Sequence, residues 1–337
     1  MIDFLREILG FATFPDRLTL AAAALLLTAF VGAVTGPLRG NANPLYWGLV
    51  DTIFGGLGTR LDRRQRTPRD LMLRGSALSV VALVISFLAG VLAVQVVGAA
   101  PLYGFTEIVF LSLILTSGAV WFSLLRLYFA LKESKIGKGV YYAIARSSRM
   151  DLSGIDDFGI TRTGMALAAR VFDKGLVAPV LWYLLLGLPG AYFYAAAAAL
   201  TWRFGKDGFT KGFGWLALFL EKILGFFPMV LSGILMALAG LFTPTGGMTR
   251  ALAGLMGGKG RAPYVEGGSP VTAMAWSLNV ALGGPSTDME GSTIKRAWVG
   301  PEGATAQLQS GHLRRALYMS LMAHLLFLTV ILALILL

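Results

Sequence analysis

Asp173 and Lys174 stand side by side at the head of an apolar run that continues to Leu200. Charged side chains are rare at such places, because hydrocarbon does not solvate them, and they mark function when they occur. On a helical reading of roughly 100° per residue, Arg162, Arg170 and Lys174 fall at i, i+8 and i+12, within a sector of about 120°. Three cations on one face suit an anionic ligand: guanidinium forks match phosphate and carboxylate, and an ammonium adds a point charge. The same side chains would also be satisfied by snorkelling to the membrane surface. A cluster of cations buried in one cavity requires an anion or carboxylate nearby. Nearby acids are Asp151, Asp156, Asp157, Asp173, Asp207 and Glu221. Asp151 and Asp173 are the candidates for catalytic chemistry, with pairing of Asp173 to Lys174 or Arg170 as the structural alternative.

Other chemistries find little support. There is no cysteine, so no thiolate nucleophile and no Cys-based metal site. His312 and His324 are the only histidines and lack an HExxH frame, so no metal ligands are assigned. Gly254 to Gly260 hints at a phosphate loop, but Ala253 and Gly260 stand where a Walker motif requires Gly and Ser or Thr.

The elements that must position these residues are membrane helices. Apolar residues make up 56% of 337 and charged residues 14%, against about a quarter charged in soluble domains; mean hydropathy is +0.70. The net charge of +11 falls in segments between apolar runs, which fits positive-inside topology rather than nucleic acid. Expected crossings are Leu18 to Val34, Gly75 to Ala100, Phe105 to Leu131 and Ala316 to Leu337, each long enough to span. Leu176 to Trp202, interrupted at Leu188-Pro189-Gly190, and Phe213 to Phe242, with Pro228 in its middle, read as kinked crossings or hairpins opening to the cytoplasm. The arginine excess over residues 39–74 and 132–170 places those segments in the cytoplasm and both chain ends outside. Asp3, Glu7 and Asp16 precede the first apolar run, so no signal peptide is expected. Residues 243–315, rich in Gly, read as a long loop around one short helix, Val271 to Leu282.

Four blocks carry a resemblance. Asp151-Leu152-Ser153 with Arg162 is the first, and Gly175-Leu176-Val177-Ala178-Pro179 the second. The third is Leu186-Gly187-Leu188-Pro189-Gly190-Ala191 with Tyr194, followed by Gly205 and Phe213-Gly214. The fourth comprises Ser269-Pro270, Leu282-Gly283-Gly284-Pro285 and Lys295-Arg296-Ala297-Trp298-Val299-Gly300. In order and spacing they resemble the CbiB/CobD family of cobalamin-biosynthesis membrane proteins. The resemblance implies an all-α integral membrane protein of the inner membrane, a polytopic helical bundle with broken or re-entrant helices. One domain would span residues 1–337, with cytoplasmic loops at about 37–74, 132–172 and 243–315. It also implies attachment of aminopropanol or its phosphate to adenosylcobyric acid, with ATP and magnesium if that activity is retained.

The chain departs from the family pattern where acids and amides would stand, at Ala166, Arg170, Val171, Lys174, Ala198, Thr201 and Val271. Magnesium needs oxygen ligands, and Arg170 and Lys174 would repel it while attracting anions. The alternative expectation is therefore an inactive relative that binds or scaffolds at the membrane. Expected partners are lipids, a cobamide precursor or other anionic ligand, and proteins, but no nucleic acid.

Overall fold

A computed structural model describes residues 13–63, 65–205, 212–289, 291, 293, 294 and 296–337. Asp3, Glu7, Arg64, Asp207 and Lys295, named above, lie outside the described residues. The protein is a polytopic all-α bundle, as its composition requires.

Helix α1, Phe14–Thr35, opens with Pro15 in its first turn and with the Thr13 amide donating to the Asp16 carboxylate at 3.0 Å. A helical stretch, α2, covers residues 45–61 and contains one wide π turn, Asp51–Gly55. Helix α3, Pro68–Ala99, is capped by Thr67, whose hydroxyl accepts from the Asp70 amide. Helices α4, Tyr103–Ser112, α5, Gly118–Lys132, and α6, Lys138–Ser148, follow. Helix α7, Asp157–Phe172, is capped by Asp156 and passes through a π turn, Asp173–Val177, into α8, Ala178–Phe204. The chain closes with α9, Trp215–Phe242, α10, Met248–Met256, α11, Gly268–Leu278, and α12, Ser310–Leu336.

Among the described residues, five apolar helical runs are long enough to cross a membrane: α1, α3, the continuous α7–α8 run, α9 and α12. The α7–α8 run, however, folds back on itself. Gly187 has φ 66° and ψ −162°, a conformation essentially confined to glycine. Arg170 and Trp202 both donate to the Ser147 carbonyl, at 2.9 and 2.7 Å, whereas a straight helix would hold residues this far apart at a separation of about 48 Å. The expected hairpin is therefore real, and its reversal lies one residue before Leu188-Pro189-Gly190. Its second limb packs on α3, where a side chain on Gly90 would collide with the backbone of Pro189.

Two expectations are corrected. Phe105 to Leu131 is not one crossing helix but two, α4 and α5, separated at residues 113–117. Pro179 has no N–H, so the Gly175 carbonyl four residues earlier loses its helical donor. The Thr116 amide of the break replaces it at 2.9 Å, and the break's Leu113 carbonyl accepts from the Tyr46 amide at 2.9 Å. Conversely, Phe213 to Phe242 is not a broken unit, because α9 runs unbroken through Pro228. The Leu224 carbonyl that Pro228 frees accepts from the Trp182 indole at 3.2 Å, so the helix has no need to open.

The long segment 243–315 holds two helices rather than one, and α11 begins and ends a few residues before the expected bounds. It also holds short strands: β2, Leu282–Gly283, β3, Ser286–Asp288, β4, Thr293–Ile294, and β5, Trp298–Val299. Strand β1, Met150–Asp151, pairs antiparallel with β3, which pairs with β4, while β2 pairs with β5. These pairings tie the segment to the residues between α6 and α7.

The arginine-bearing segments gather at one end of the bundle. Arg146 donates to the Arg39 carbonyl at 2.7 Å, Arg203 pairs with Asp51 at 2.9 Å, and Arg162 reaches the Ala306 carbonyl at 2.7 Å. At the other end Arg17 donates to the Leu184 carbonyl and Tyr183 to Glu107. The positive-inside rule predicts that the first end faces the cytoplasm. A single cysteine placed at Gly139, in this cysteine-free chain, is then expected to resist a membrane-impermeant thiol reagent added outside intact cells, while one at Leu102 reacts; the reverse pattern refutes the orientation. Gly187→Ala is expected to cost about 1–3 kcal/mol, read as a lower melting temperature in detergent, and unchanged stability would contradict the turn geometry.

Candidate functional site

A cleft of about 590 Å³, counting space open to solvent, lies along α7. Helix α7 supplies Arg162 and Arg170, the turn before α11 supplies Val265 and Glu266, the β2–β3 connection contributes Gly283 to Ser286, and the loop before β5 contributes Arg296.

Arg162 and Arg170 each donate to a backbone carbonyl, whereas Arg296 faces acids. Arg162 donates to the Ala306 carbonyl at 2.7 Å, lies over the Trp298 ring at 5.4 Å, and is 3.9 Å from the largely exposed Asp156 carboxylate. Arg170 donates through one amino group to the Ser147 carbonyl, and its buried Nε has no partner. Arg296 faces the field of Glu266 and Asp288, which partly offsets the lowering of its pKa by burial. Burial raises the Glu266 carboxyl above its ordinary range, against the pull of Arg296. The cleft walls thus carry three guanidinium groups and one carboxylate, an excess of cation suited to an anion.

Arg162 and Arg170, paired by the sequence periodicity, do share this cleft. Lys174 does not, and its expected place among the cleft cations is corrected. One helical turn beyond Arg170, its ammonium is buried against Glu221 of α9 at 2.9 Å, and the Tyr264 ring covers it, its centroid 4.2 Å from Nζ. The Tyr264 hydroxyl donates to both the carboxylate and the backbone carbonyl of Glu221, each at 2.7 Å. Burial and the Glu221 charge push this hydroxyl's pKa well up, so it remains a donor. A carboxylate does stand near the cations: Glu221 pairs directly with Lys174, and its charge is also felt by Arg170.

Asp173 is buried in the π turn, where one carboxylate oxygen accepts from the Ser232 hydroxyl at 3.2 Å and the other has no partner. Asp151 lies in β1, exposed, and caps its own turn by accepting from the Ser153 amide and hydroxyl at 2.9 and 2.6 Å. Neither is among the residues lining the cleft. Among the described residues no three His, Cys, Asp or Glu gather where a metal ion could sit. Among the described residues, Glu266 is the one carboxylate on the cleft wall, and it faces Arg296, a donor set that does not fit magnesium or an ATP–magnesium complex. Sequence reasoning missed Arg296, Glu266 and Tyr264 as site residues. Arg296 stood inside one of the recognisable blocks, which was the available signal; Glu266 and Tyr264 had none.

The comparisons agree with the blocks. A family model described as CobD/Cbib protein matches residues 22–320. The chain is similar to a Cobalamin biosynthesis protein CobD of Brucella melitensis, 25% identical over 282 residues, covering 80% of this chain and 82% of that one. It is also similar to proteins of the same name from Rhodobacter capsulatus, 30% identical over 148 residues, 44% of this chain and 46% of the relative, and from Sinorhizobium fredii, 28% over 222 residues, 64% and 67%. The match to the Rhodobacter protein therefore spans about half of its length. No solved structure matches the chain.

Breaking the buried Lys174–Glu221 pair from one side strands a charge, at a cost of about 3–5 kcal/mol, whereas replacing both partners by apolar groups is often close to neutral. Lys174→Met is thus expected to lower stability by roughly 3 kcal/mol. The double variant Lys174→Met/Glu221→Leu should recover most of it, since Tyr264 keeps the backbone carbonyl at position 221. Chemical denaturation in detergent measures the cycle, and additive losses would contradict a coupled pair.

Proposed function

The chain belongs to the CobD/CbiB family, and from that premise we propose that it is a multi-pass inner-membrane protein whose arginine cleft binds an anionic group, with a cobamide precursor as the ligand, without performing the family's amide synthesis. The observation that carries this reading is the charge of the cleft wall: Arg162, Arg170 and Arg296 against the single carboxylate of Glu266. Joining an amine to a carboxyl at the expense of ATP requires charge neutralisation on the transferring phosphoryl group and removal of a proton from the amine. Cations in the wall serve the binding of an anion. They do not supply the oxygen ligands of magnesium, and no carboxylate in the cleft is free of arginine to act as a base.

The arginines have distinct tasks. Arg170 lines the cleft and is anchored through one amino group, with its buried Nε left without a partner. Arg162 is stiffened by Trp298 and by the Ala306 carbonyl, so its fork is preorganised and loses less entropy on binding. Arg296 comes from the loop before β5, so a ligand anion would be gripped from two elements.

The family reaction, attachment of aminopropanol or its phosphate to adenosylcobyric acid, is the competing reading, favoured by family membership itself. Purified protein given adenosylcobyric acid, aminopropanol phosphate, ATP and magnesium is expected to form no product above background, while adenosylcobyric acid still binds in equilibrium dialysis. Arg170→Gln and Arg296→Gln should each weaken that binding about tenfold, the value of one charge-assisted hydrogen bond. Sustained turnover refutes the non-catalytic reading, and full-strength binding by both variants refutes the cleft as the site.

A further inference from the structure

The cleft accounts for none of the arginines at the end of α2 and the start of α3. Helix α2 has two opposite faces. Inward, Tyr46 packs edge-on against Tyr192, Trp47 lies against Trp202, and Gly58 abuts the Phe204 ring. Outward, Leu45, Leu49, Ile53 and Leu57 recur every four residues, and each is about half exposed.

The helix is pinned at both ends. The Tyr46 amide is bonded to the Leu113 carbonyl in the break between α4 and α5, inside the bundle, and near the other end Arg203 pairs with Asp51 and donates to Thr59. The outward stripe therefore runs from bundle depth to the surface and ends at Arg60. Residues 60–74 carry Arg60, Arg63, Arg64, Arg66, Arg69 and Arg74 against Asp62 and Asp70, a net +4. Asp70 already holds Arg66 and Arg74, each at 2.9 Å. Arg60, Arg63 and Arg69 are exposed.

We infer that this face is a binding surface for anionic phospholipid: acyl chains lie along Leu45, Leu49, Ile53 and Leu57, and the headgroup phosphate sits among Arg60, Arg63 and Arg69. An apolar stripe continued by a cluster of arginines is the chemistry that separates an acidic phospholipid from a zwitterionic one, because the stripe serves both and the cations favour one. Orientation of the chain needs only an excess of basic residues in a loop. The structure adds a rigid helix that delivers a lipid-facing stripe to the same place.

Full-length protein in phosphatidylcholine nanodiscs provides the test, with phosphatidylglycerol titrated in and bound lipid counted by native mass spectrometry after extraction. The wild type is expected to retain phosphatidylglycerol over phosphatidylcholine by at least fivefold, and the preference should shrink in high salt. The triple variant Arg60→Gln/Arg63→Gln/Arg69→Gln, all at exposed positions, should lose the preference while its melting temperature in phosphatidylcholine is unchanged. Leu49→Ser/Ile53→Ser should lose retention of both lipids alike. The inference fails if the triple variant keeps the preference, if the wild type has none, or if the protein is a dimer in phosphatidylcholine that buries this stripe.

Discussion

One backbone carbonyl, that of Ser147 near the end of α6, accepts from Asn43 at 3.0 Å, Arg170 at 2.9 Å and Trp202 at 2.7 Å. A carbonyl in the last turn of a helix has no helical donor, and because Ser147 is buried it must find partners in the protein. Here those partners come from three places far apart in sequence: the segment before α2, the first limb of the hairpin and its second limb. The bond to Arg170 and the bond to Trp202 hold the two limbs together, and the bond to Asn43 brings the entry of α2 beside them. The same requirement explains the two prolines. Pro179 and Pro228 each release a carbonyl, and Thr116 and Trp182 each supply the missing donor.

This solution to a backbone problem also shapes the site. Because Arg170 is held by a carbonyl and not by a carboxylate, it is fixed in place with its charge intact. Arg162 is treated likewise by the Ala306 carbonyl. Anchoring through neutral acceptors preserves the positive field of the cleft, whereas anchoring by acids would have cancelled it. Lys174, a single turn away, shows the opposite arrangement: Glu221 pairs with it fully, and it adds little to the field.

Much of this was legible in the chain. Hydrophobic runs reported α1, α3 and α12, because lipid imposes length and apolarity together. The Leu188-Pro189-Gly190 signal located the reversal to within one residue. Helix α2 was hidden inside a segment read as a basic loop, since its glycines and its Asp51 mask an apolar stripe only four residues deep. The α4–α5 break was equally hidden, because its cause, Pro179, lies more than sixty residues downstream of it. Pro228 misled in the other direction: a proline predicts a broken helix only when no outside donor answers the carbonyl it releases, and that donor, Trp182, belongs to another element.

The placement of Lys174 shows why periodicity found two of the three cleft arginines' positions and then failed. A helical wheel reports azimuth and says nothing of height. Lys174 shares the sector of Arg170 but sits about 6 Å further along the axis, and there the turn before α11 brings the Tyr264 ring to 4.2 Å from its ammonium. Its fate was decided by Glu221, an acid on a helix whose neighbourhood no local pattern specifies. Arg296 reaches the cleft wall from a loop more than a hundred residues away, where no helical periodicity of α7 could have found it. Charge balance in a buried site is a property of the packed bundle: a residue's sign can be read from sequence, but whether that sign is spent on a neighbour or presented to a ligand depends on which acid arrives beside it.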